Sequence, residues 1–410
     1  MKKFSSLFLA VLMLYITGVS YVSYAAAGDW NTATANQIYK DTTLDNLQAK
    51  SVTLMDFETG RILLSKNGDE RYPMASMTKL MTILLLYEAM SQDPDTYNKD
   101  TIIRASKNAS ETEGSKVWLK IGEEFTIDDA LKCIFIHSAN DVAVAIAEKL
   151  AGTEEAFVIK MNEKAQELGM VNTHFVDCTG LTSDDHYSTS NDIALLSRYL
   201  IQNYPDALNY SSIRLDYFED DYRDPFMLLS TNDLIAQKFY PGVDGLKTGF
   251  TSAAGYCLTS TIKDPNDPDN GRRVISVVMD EPDVNTRAAE SKKLLEYGLD
   301  NFEVVNAIKQ GTYIKDVSIK NGVSKRVKAS AGEDLNILTE KGKSSDFTKS
   351  IETDGNIKAP IKKGDKLGEV IYKLDDQEVG RVSVVADEDM AKANGFVLFI
   401  RKILSWFGLD

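Results

Sequence analysis

Ser76-Met77-Thr78-Lys79, Ser138-Ala139-Asn140 and Lys247-Thr248-Gly249 follow one another along this chain. Together they carry the side chains for a serine nucleophile activated by lysine instead of histidine. A serine hydroxyl is a poor nucleophile until a base takes its proton, and lysine serves as that base only when desolvation or a neighbouring positive charge destabilises its ammonium. Lys247 is a candidate source of that charge. None of the motifs is specific alone, since S-x-x-K arises by chance about once or twice in a chain this long at ordinary residue frequencies. Ser260-Thr261-Ile262-Lys263 is such a decoy, and Ser65-Lys66-Asn67, Ser106-Lys107-Asn108 and Ser230-Thr231-Asn232 also satisfy S-x-N.

The elements that must position these groups discriminate between them. Ser76 follows Tyr72-Pro73-Met74-Ala75 and opens an apolar run at helical spacing, Met77, Leu80, Met81, Leu84 and Leu85, which places it at or near a helix N-terminus. There, free N–H groups and the helix dipole favour developing negative charge. Lys79 returns to the same face one turn later. The decoy sits in a strand-like run, Tyr256 to Ile262, where residues three apart point to opposite faces. Thr126 with Asp129 reads as a capping-box helix start, and a second helix begins near Asp141, so Ser138 and Asn140 fall at a helix junction. Lys247-Thr248-Gly249 is expected to precede a strand, with a hairpin partner from Arg273 to Met279, and Lys247 at that sheet edge would face a cleft. A first hairpin is expected from Ser51–Asp56 and Arg61–Ser65, turning at Glu58-Thr59-Gly60.

The ordered S-x-x-K, S-x-N and K-T-G motifs resemble those of penicillin-binding proteins and serine β-lactamases. Further stretches narrow the resemblance: Met161-Asn162, Ala165, Leu168-Gly169-Met170, Asn172-Thr173-His174-Phe175, Gly180-Leu181, His186-Tyr187-Ser188-Thr189 and Gly245-Leu246 ahead of Lys247. From about Asp41 onward the chain resembles the D-alanyl-D-alanine carboxypeptidases, the low-molecular-mass penicillin-binding proteins that trim peptidoglycan stem peptides. The resemblance implies an α/β (α+β) fold: a DD-peptidase/β-lactamase-like transpeptidase domain with an antiparallel sheet flanked by helices, an added helical region carrying Ser138 and Asn140, and a small β-rich domain after it.

The resemblance also implies roles. Neutral Lys79 would accept the Ser76 proton as Ser76 attacks the carbonyl between two D-alanines. Ser138 would relay a proton to the leaving amine, and Asn140 would bind the acyl side and help hold Lys79. Lys247 and Thr248, followed by Gly249, would bind the terminal carboxylate. The N–H groups of Ser76 and Phe250 would form the oxyanion hole. Arg273 is read either as an aid to carboxylate binding or as a solvated strand residue. β-Lactams, which mimic the D-Ala-D-Ala terminus, are expected to acylate Ser76 and to leave slowly.

Both chain ends suggest an extracytoplasmic protein. Lys2-Lys3, an apolar stretch from Leu7 to about Tyr24 and Ala25-Ala26-Ala27 read as a cleavable signal peptide over 1–27. The catalytic domain is expected over 28–302, closed by an amphipathic helix from Arg287 to Tyr297. A β-rich domain is expected over 303–388, with runs at Val317–Ile319, Leu335–Leu338, Gly368–Leu374 and Glu378–Val385. Over 389–410, Phe396, Phe399, Ile400, Ile403, Leu404, Trp406 and Phe407 gather on one helix side, with Asn394, Arg401 and Ser405 opposite and Leu398 misplaced. This segment is too short to cross a bilayer and suits an in-plane anchor on the outer face of the cytoplasmic membrane. The alternative is a terminal helix packed on its own domain.

Composition bounds what remains. A chain of 410 residues, 43% hydrophobic, is long enough for two folded domains, and a formal net charge of −15 argues against nucleic-acid partners and against attraction to anionic lipid. Of the three cysteines, Cys133 and Cys257 are expected as buried thiols and Cys178 in a loop near the cleft. His137, His174 and His186 are expected to be structural, their spacing matches no zinc motif, and no cofactor is expected. Two rival readings survive: a serine β-lactamase, and a non-catalytic module that binds β-lactams or peptidoglycan.

Overall fold

The computed structural model describes residues 46–220, 223–236, 240–266, 271–374 and 376–406. The expected signal peptide and Phe407 lie outside them. The first strands among the described residues form the antiparallel hairpin β1 (Ser51–Asp56) and β2 (Ile62–Lys66), whose turn is pinned by Asp56 Oδ1 accepting from Thr59 N at 2.9 Å and Thr59 Oγ1 at 2.7 Å. Short ladders β3 (Ile102–Arg104) with β4 (Glu124–Thr126), and β5 (Leu215–Asp220) with β6 (Arg223–Leu229), sit apart from it. Strands β7 (Val243–Thr251), β8 (Gly255–Lys263) and β9 (Arg273–Glu281) complete a five-stranded antiparallel sheet in the order β2-β1-β9-β8-β7.

Side-chain alternation assigns each sheet face its own core. Met55, Ile275, Val277 and Met279 face a helical region built from α1 (Lys79–Gln92), α2 (Ile127–Lys132), α3 (Asn140–Ala151), α4 (Glu154–Glu167) and α5 (Ser190–Asn203). Their neighbours Val52, Leu54, Val274 and Val278 face the other way, onto Ala288, Leu294 and Leu295 of α6 (Val284–Asn301). Because β9 is buried on both sides, its sequence reads as a continuous apolar run. The expected capping box forms, with the Thr126 and Asp129 side chains each bonded to the other's backbone N–H.

Lys247-Thr248-Gly249 lies within edge strand β7, whereas the sequence placed it ahead of a strand. The strand begins before the motif because backbone pairing to β8, from Val243↔Ile262 onward, carries it, not an apolar alternation.

After α6 the chain forms β10 (Phe302–Ile308), β11 (Tyr313–Ser318), β12 (Arg326–Ala331), β13 (Leu335–Glu340), β14 (Thr348–Thr353), β15 (Lys366–Leu374) and β16 (Gln377–Ala386). β10 pairs with β13, and the others form a sheet ordered β11-β12-β16-β15-β14 around its own apolar cluster. Strands β10, β12 and β14 were not legible in sequence. β14 is a largely exposed polar edge strand held by backbone pairing to β15, which hydrophobic periodicity cannot register. Arg272 ties β1 to this junction: its Nε meets Asp56 Oδ2 at 2.9 Å, and its Nη1 donates to Gly298 O and Phe302 O.

Helix α7 (Gly395–Trp406) ends the described chain. Arg401 donates to Gly322 O at 2.8 Å and Val323 O at 2.9 Å, and Val397 and Leu398 are half-buried beside it, so Leu398 lies on the docked side. Phe396, Phe399, Ile400, Ile403 and Leu404 are exposed. No helix among the described residues is long and apolar enough to cross a membrane.

At the end of β9, Glu281 is 1% exposed, and burial beside Glu290 pushes its carboxyl up to about 9. Glu290 itself accepts from the N–H groups of Gln48 and Ala49. A carboxyl raised from 4.5 stabilises the fold below that pH and loses its contribution as pH climbs toward 9. Glu281→Gln is therefore expected to stabilise the protein at about pH 8 by on the order of 1–3 kcal/mol, with the advantage vanishing near pH 4.5; chemical denaturation at both values checks it.

Candidate active site

Ser76 lies in a single 3₁₀ turn, Ala75–Thr78, that runs directly into α1 at Lys79. In a 3₁₀ turn residues i and i+3 eclipse, so the spacing of three stacks the lysine over the serine more closely than an α-turn would. Lys79 Nζ donates to Ser76 Oγ at 2.9 Å and to Thr179 O at 2.7 Å. Ala75 enters the turn at φ 46°, a left-handed conformation that costs a residue with a side chain on the order of 1–2 kcal/mol.

Two glycines hold that turn in place. A Cβ on Gly180 would sit 1.9 Å from Ala75 O, and one on Gly249 would sit 2.7 Å from Met74 O and 3.2 Å from Ser76 N. Gly249 thus brings the edge of β7 against the backbone of Ser76 itself. Phe250 follows it, 53% exposed, with its ring 4.3 Å from that of Tyr256.

The second motif closes a π-turn, Cys133–His137, with Ser138 in the left-handed region at φ 65° and Asn140 opening α3. Lys247 Nζ donates to Ser138 Oγ at 2.8 Å and to Thr248 O at 3.1 Å. The Thr248 and Thr231 hydroxyl oxygens lie 2.6 Å apart. Asn140 Nδ2 donates to Glu113 O at 2.6 Å, while its amide oxygen is buried without a hydrogen-bond partner. An orphaned buried acceptor of this kind is costly unless something arrives to fill it. Lys79 is held by Thr179 O and not by Asn140, contrary to expectation.

Both lysines are fully desolvated. Burial lowers the Lys79 ammonium to about 8, against the pull of Cys178, Asp177 and Asp141. Lys247 is driven well below its ordinary value, first by burial, then by repulsion from Lys79 and Arg287. Of the two causes the sequence allows, desolvation and a neighbouring positive charge, burial is the one that lowers Lys79, and Lys247 is not among the groups that shift it.

Arg273 is neither solvated nor available to a ligand. Its guanidinium makes paired 2.6 Å bonds to the Asp244 carboxylate and a 2.9 Å bond to Thr261 Oγ1, which satisfies the fork between neighbouring strands. The cation near the third motif is instead Arg287 of α6, buried, bonded to Asp233 Oδ2 at 2.8 Å and Thr231 O at 3.3 Å, with Nε unpartnered. Its place in an amphipathic helix far along the chain gave no signal.

All three cysteines are buried free thiols. Cys178 Sγ donates to Glu154 Oε1 at 3.1 Å, and Cys178 O accepts from Thr82 Oγ1 of α1 at 2.8 Å, so its loop adjoins the site. The His137 ring meets Phe226 edge-on at 5.2 Å. Among the described residues, no His, Cys, Asp and Glu side chains cluster as metal ligands.

A serine hydroxyl 2.9 Å from a buried lysine amine, set between a two-sided sheet and a helical region, is the arrangement of the serine DD-peptidase class, and the comparisons place the chain within it. Residues 36–283 match the family described as D-alanyl-D-alanine carboxypeptidase, and residues 302–392 match the C-terminal domain of penicillin-binding protein 5. D-alanyl-D-alanine carboxypeptidase DacF of Bacillus subtilis is 38% identical over 96% of this chain and 97% of its own length. DacA of Escherichia coli K12 is 30% identical over 95% of each. The solved penicillin-binding protein 5 of Haemophilus influenzae superposes with a TM-score of 0.74 at 32% identity, over 84% of this chain and 98% of that one. The chain belongs to the D-alanyl-D-alanine carboxypeptidase family, and its activity is that of a serine-type hydrolase cleaving D-Ala-D-Ala termini.

Gly180→Ala is expected to displace the serine turn, because φ is 90° there and the new methyl would overlap Ala75 O. A shift of about 1 Å costs on the order of 10²-fold in rate. D-Alanine release is expected to fall by roughly that factor while circular dichroism stays native.

Proposed function

We propose that Ser76 is the acylated nucleophile and Lys79 its base, in an enzyme that removes the terminal D-alanine from peptidoglycan stem peptides. The observation that carries the proposal is the buried Lys79 amine 2.9 Å from Ser76 Oγ. The free amine accepts the hydroxyl proton as Oγ attacks the carbonyl between the two D-alanines, and a tetrahedral oxyanion forms. The N–H groups of Ser76 and Phe250 receive that oxyanion, a reading supported by Gly249 packing against Ser76 N. Ser138, bonded to Lys247, relays a proton to the departing amine. Water then attacks the acyl-enzyme, releasing the shortened peptide and restoring Ser76.

The substrate carboxylate binds at Lys247 and Thr248, with the Arg287 charge behind them. A carboxylate beside Lys247 favours its ammonium, and a charged Lys247 in turn favours neutral Lys79, since two cations in one dry pocket repel. Binding of a chain terminus thus prepares the base. Asn140, with its amide oxygen unpartnered, offers an acceptor to the acyl side of the peptide.

β-Lactams are covalent inhibitors on this reading, supported by the solved penicillin-binding protein D2 of Listeria monocytogenes in its cefotaxime-bound form, 33% identical with a TM-score of 0.53 over 61% of this chain and 96% of that one. The rival β-lactamase reading requires fast deacylation, and the β-rich domain after residue 302 is unexpected for it. We place the domain limits at 28–302, 303–388 and 389–410, with an exported protein held at the outer face of the cytoplasmic membrane. The outward apolar residues of α7 support an in-plane anchor, and the charge of −15 means that apolar insertion, not attraction to anionic lipid, holds it.

Mass spectrometry after penicillin treatment is expected to find the adduct on the peptide containing Ser76, and Ser76→Ala is expected to lose at least about 10³-fold in D-alanine release. An adduct elsewhere, or release at the wild-type rate, overturns the assignment. With Lys79 lowered to about 8, acylation is expected to rise about tenfold per pH unit between about 6.5 and a plateau near 8.

A further inference from the structure

The base is fixed from outside its own helix. Lys79 Nζ rests on the carbonyl of Thr179, in a loop whose conformation is set by Asp177 Oδ1, which accepts from Thr179 N at 2.7 Å, Thr179 Oγ1 at 2.8 Å and Gly180 N at 2.6 Å. The same loop touches the serine turn through Gly180. Joining the loop to that turn is His186, 3% exposed, with Nε2 2.7 Å from Thr78 Oγ1 and Nδ1 accepting from Val176 N–H at 3.2 Å. Thr78 is the residue immediately before Lys79.

The bonding fixes the tautomer. A backbone N–H can only donate, so Nδ1 presents its lone pair, and in a neutral imidazole Nε2 then carries the proton and donates to Thr78. We propose that His186, as the neutral Nε2–H tautomer, is a positioning residue that locks the serine turn to the loop carrying Thr179 O and thereby holds Lys79 against Ser76. The inference rests on the roles assigned above to Ser76 and Lys79. It is specific to uncharged imidazole. A second proton on Nδ1 would break the Val176 bond and turn the ring toward Asp177 Oδ2, now 3.5 Å from Nδ1, and Asp177 is the residue that shapes the Thr179 carbonyl.

The surroundings keep His186 neutral. Phe175 meets the ring edge-on at 5.9 Å. Burial lowers the imidazole below its ordinary 6.5 and outweighs Asp177, and the charges of His174 and Lys79 act in the same direction as burial. Protonation therefore begins only in the acid range, where Lys79 is already charged. Two groups must then lose protons for acylation: in wild type the rate is expected to fall with the first power of proton concentration below about 8 and with the second power below the imidazole's pKa.

The test measures β-lactam acylation of Ser76 from below the His186 midpoint, located by nitrogen–proton spectra, up to about pH 9 in wild type, His186→Gln and His186→Ala, with thermal melts alongside. Glutamine keeps a donor and an acceptor but does not titrate. It is expected to acylate within about threefold of wild type near pH 8 and to retain the first-power slope throughout the acid range. Alanine is expected to lose about 10- to 100-fold in the acylation step with little change in the affinity of the preceding complex. Nitrogen–proton correlation spectra of the wild-type imidazole read the tautomer directly, and they decide the matter together with the glutamine slope even if the alanine variant does not fold. An Nδ1–H tautomer, identical slopes in wild type and His186→Gln on both sides of the imidazole midpoint read from the same spectra, or an alanine variant acylating at the wild-type rate would each overturn the proposal. A wild-type protein not acylated at Ser76 would instead defeat the underlying assignment.

Discussion

Keeping one amine out of water is the constraint on which this structure depends. Lysine in solvent is charged at neutral pH and cannot take a proton from serine. Here α1 supplies Lys79, the loop around Thr179 takes one of its hydrogen bonds, and Ser76 takes another. No segment could achieve this alone, since each leaves part of the ammonium open to hydration. Burial by all of them together lowers the group to about 8 without removing its hydrogen-bond partners.

The larger architecture follows from that requirement. A sheet buried on both faces gives β7 a rigid edge, and that edge delivers Lys247 to Ser138 while Gly249 packs on the serine turn. Left-handed residues mark where the chain must turn abruptly to present a side chain: Ala75 ahead of Ser76 and Ser138 ahead of α3. Such conformations persist only where the surrounding packing over-determines them. Here the glycines at 180 and 249 and the π-turn at 133–137 do so.

Sequence spacing brought the candidate groups out because the chemistry proposed for them is local. Ser76 and Lys79 are three residues apart on one turn, and the three motifs fall in a fixed order. The first hairpin, the apolar run of β9 and the capping box at Thr126 were equally legible. What escaped is chemistry made by distant contacts. Arg273 looked available because nothing in its strand shows that Asp244, 29 residues away, fills its guanidinium. Arg287 entered only as the start of an amphipathic helix, with no role assigned, yet it is buried behind the third motif. The Thr179 carbonyl is main chain and carries no side-chain signature, and the polar strand β14 depends on backbone pairing.

The central claim is most directly tested by titrating the ε-amino nitrogen of Lys79 by heteronuclear NMR in isotope-labelled enzyme, assigned by its loss in Lys79→Arg. The account predicts a midpoint at about 8 in the free enzyme. A midpoint near the ordinary 10.5 would mean an ammonium at working pH, and the account of Ser76 activation would be contradicted.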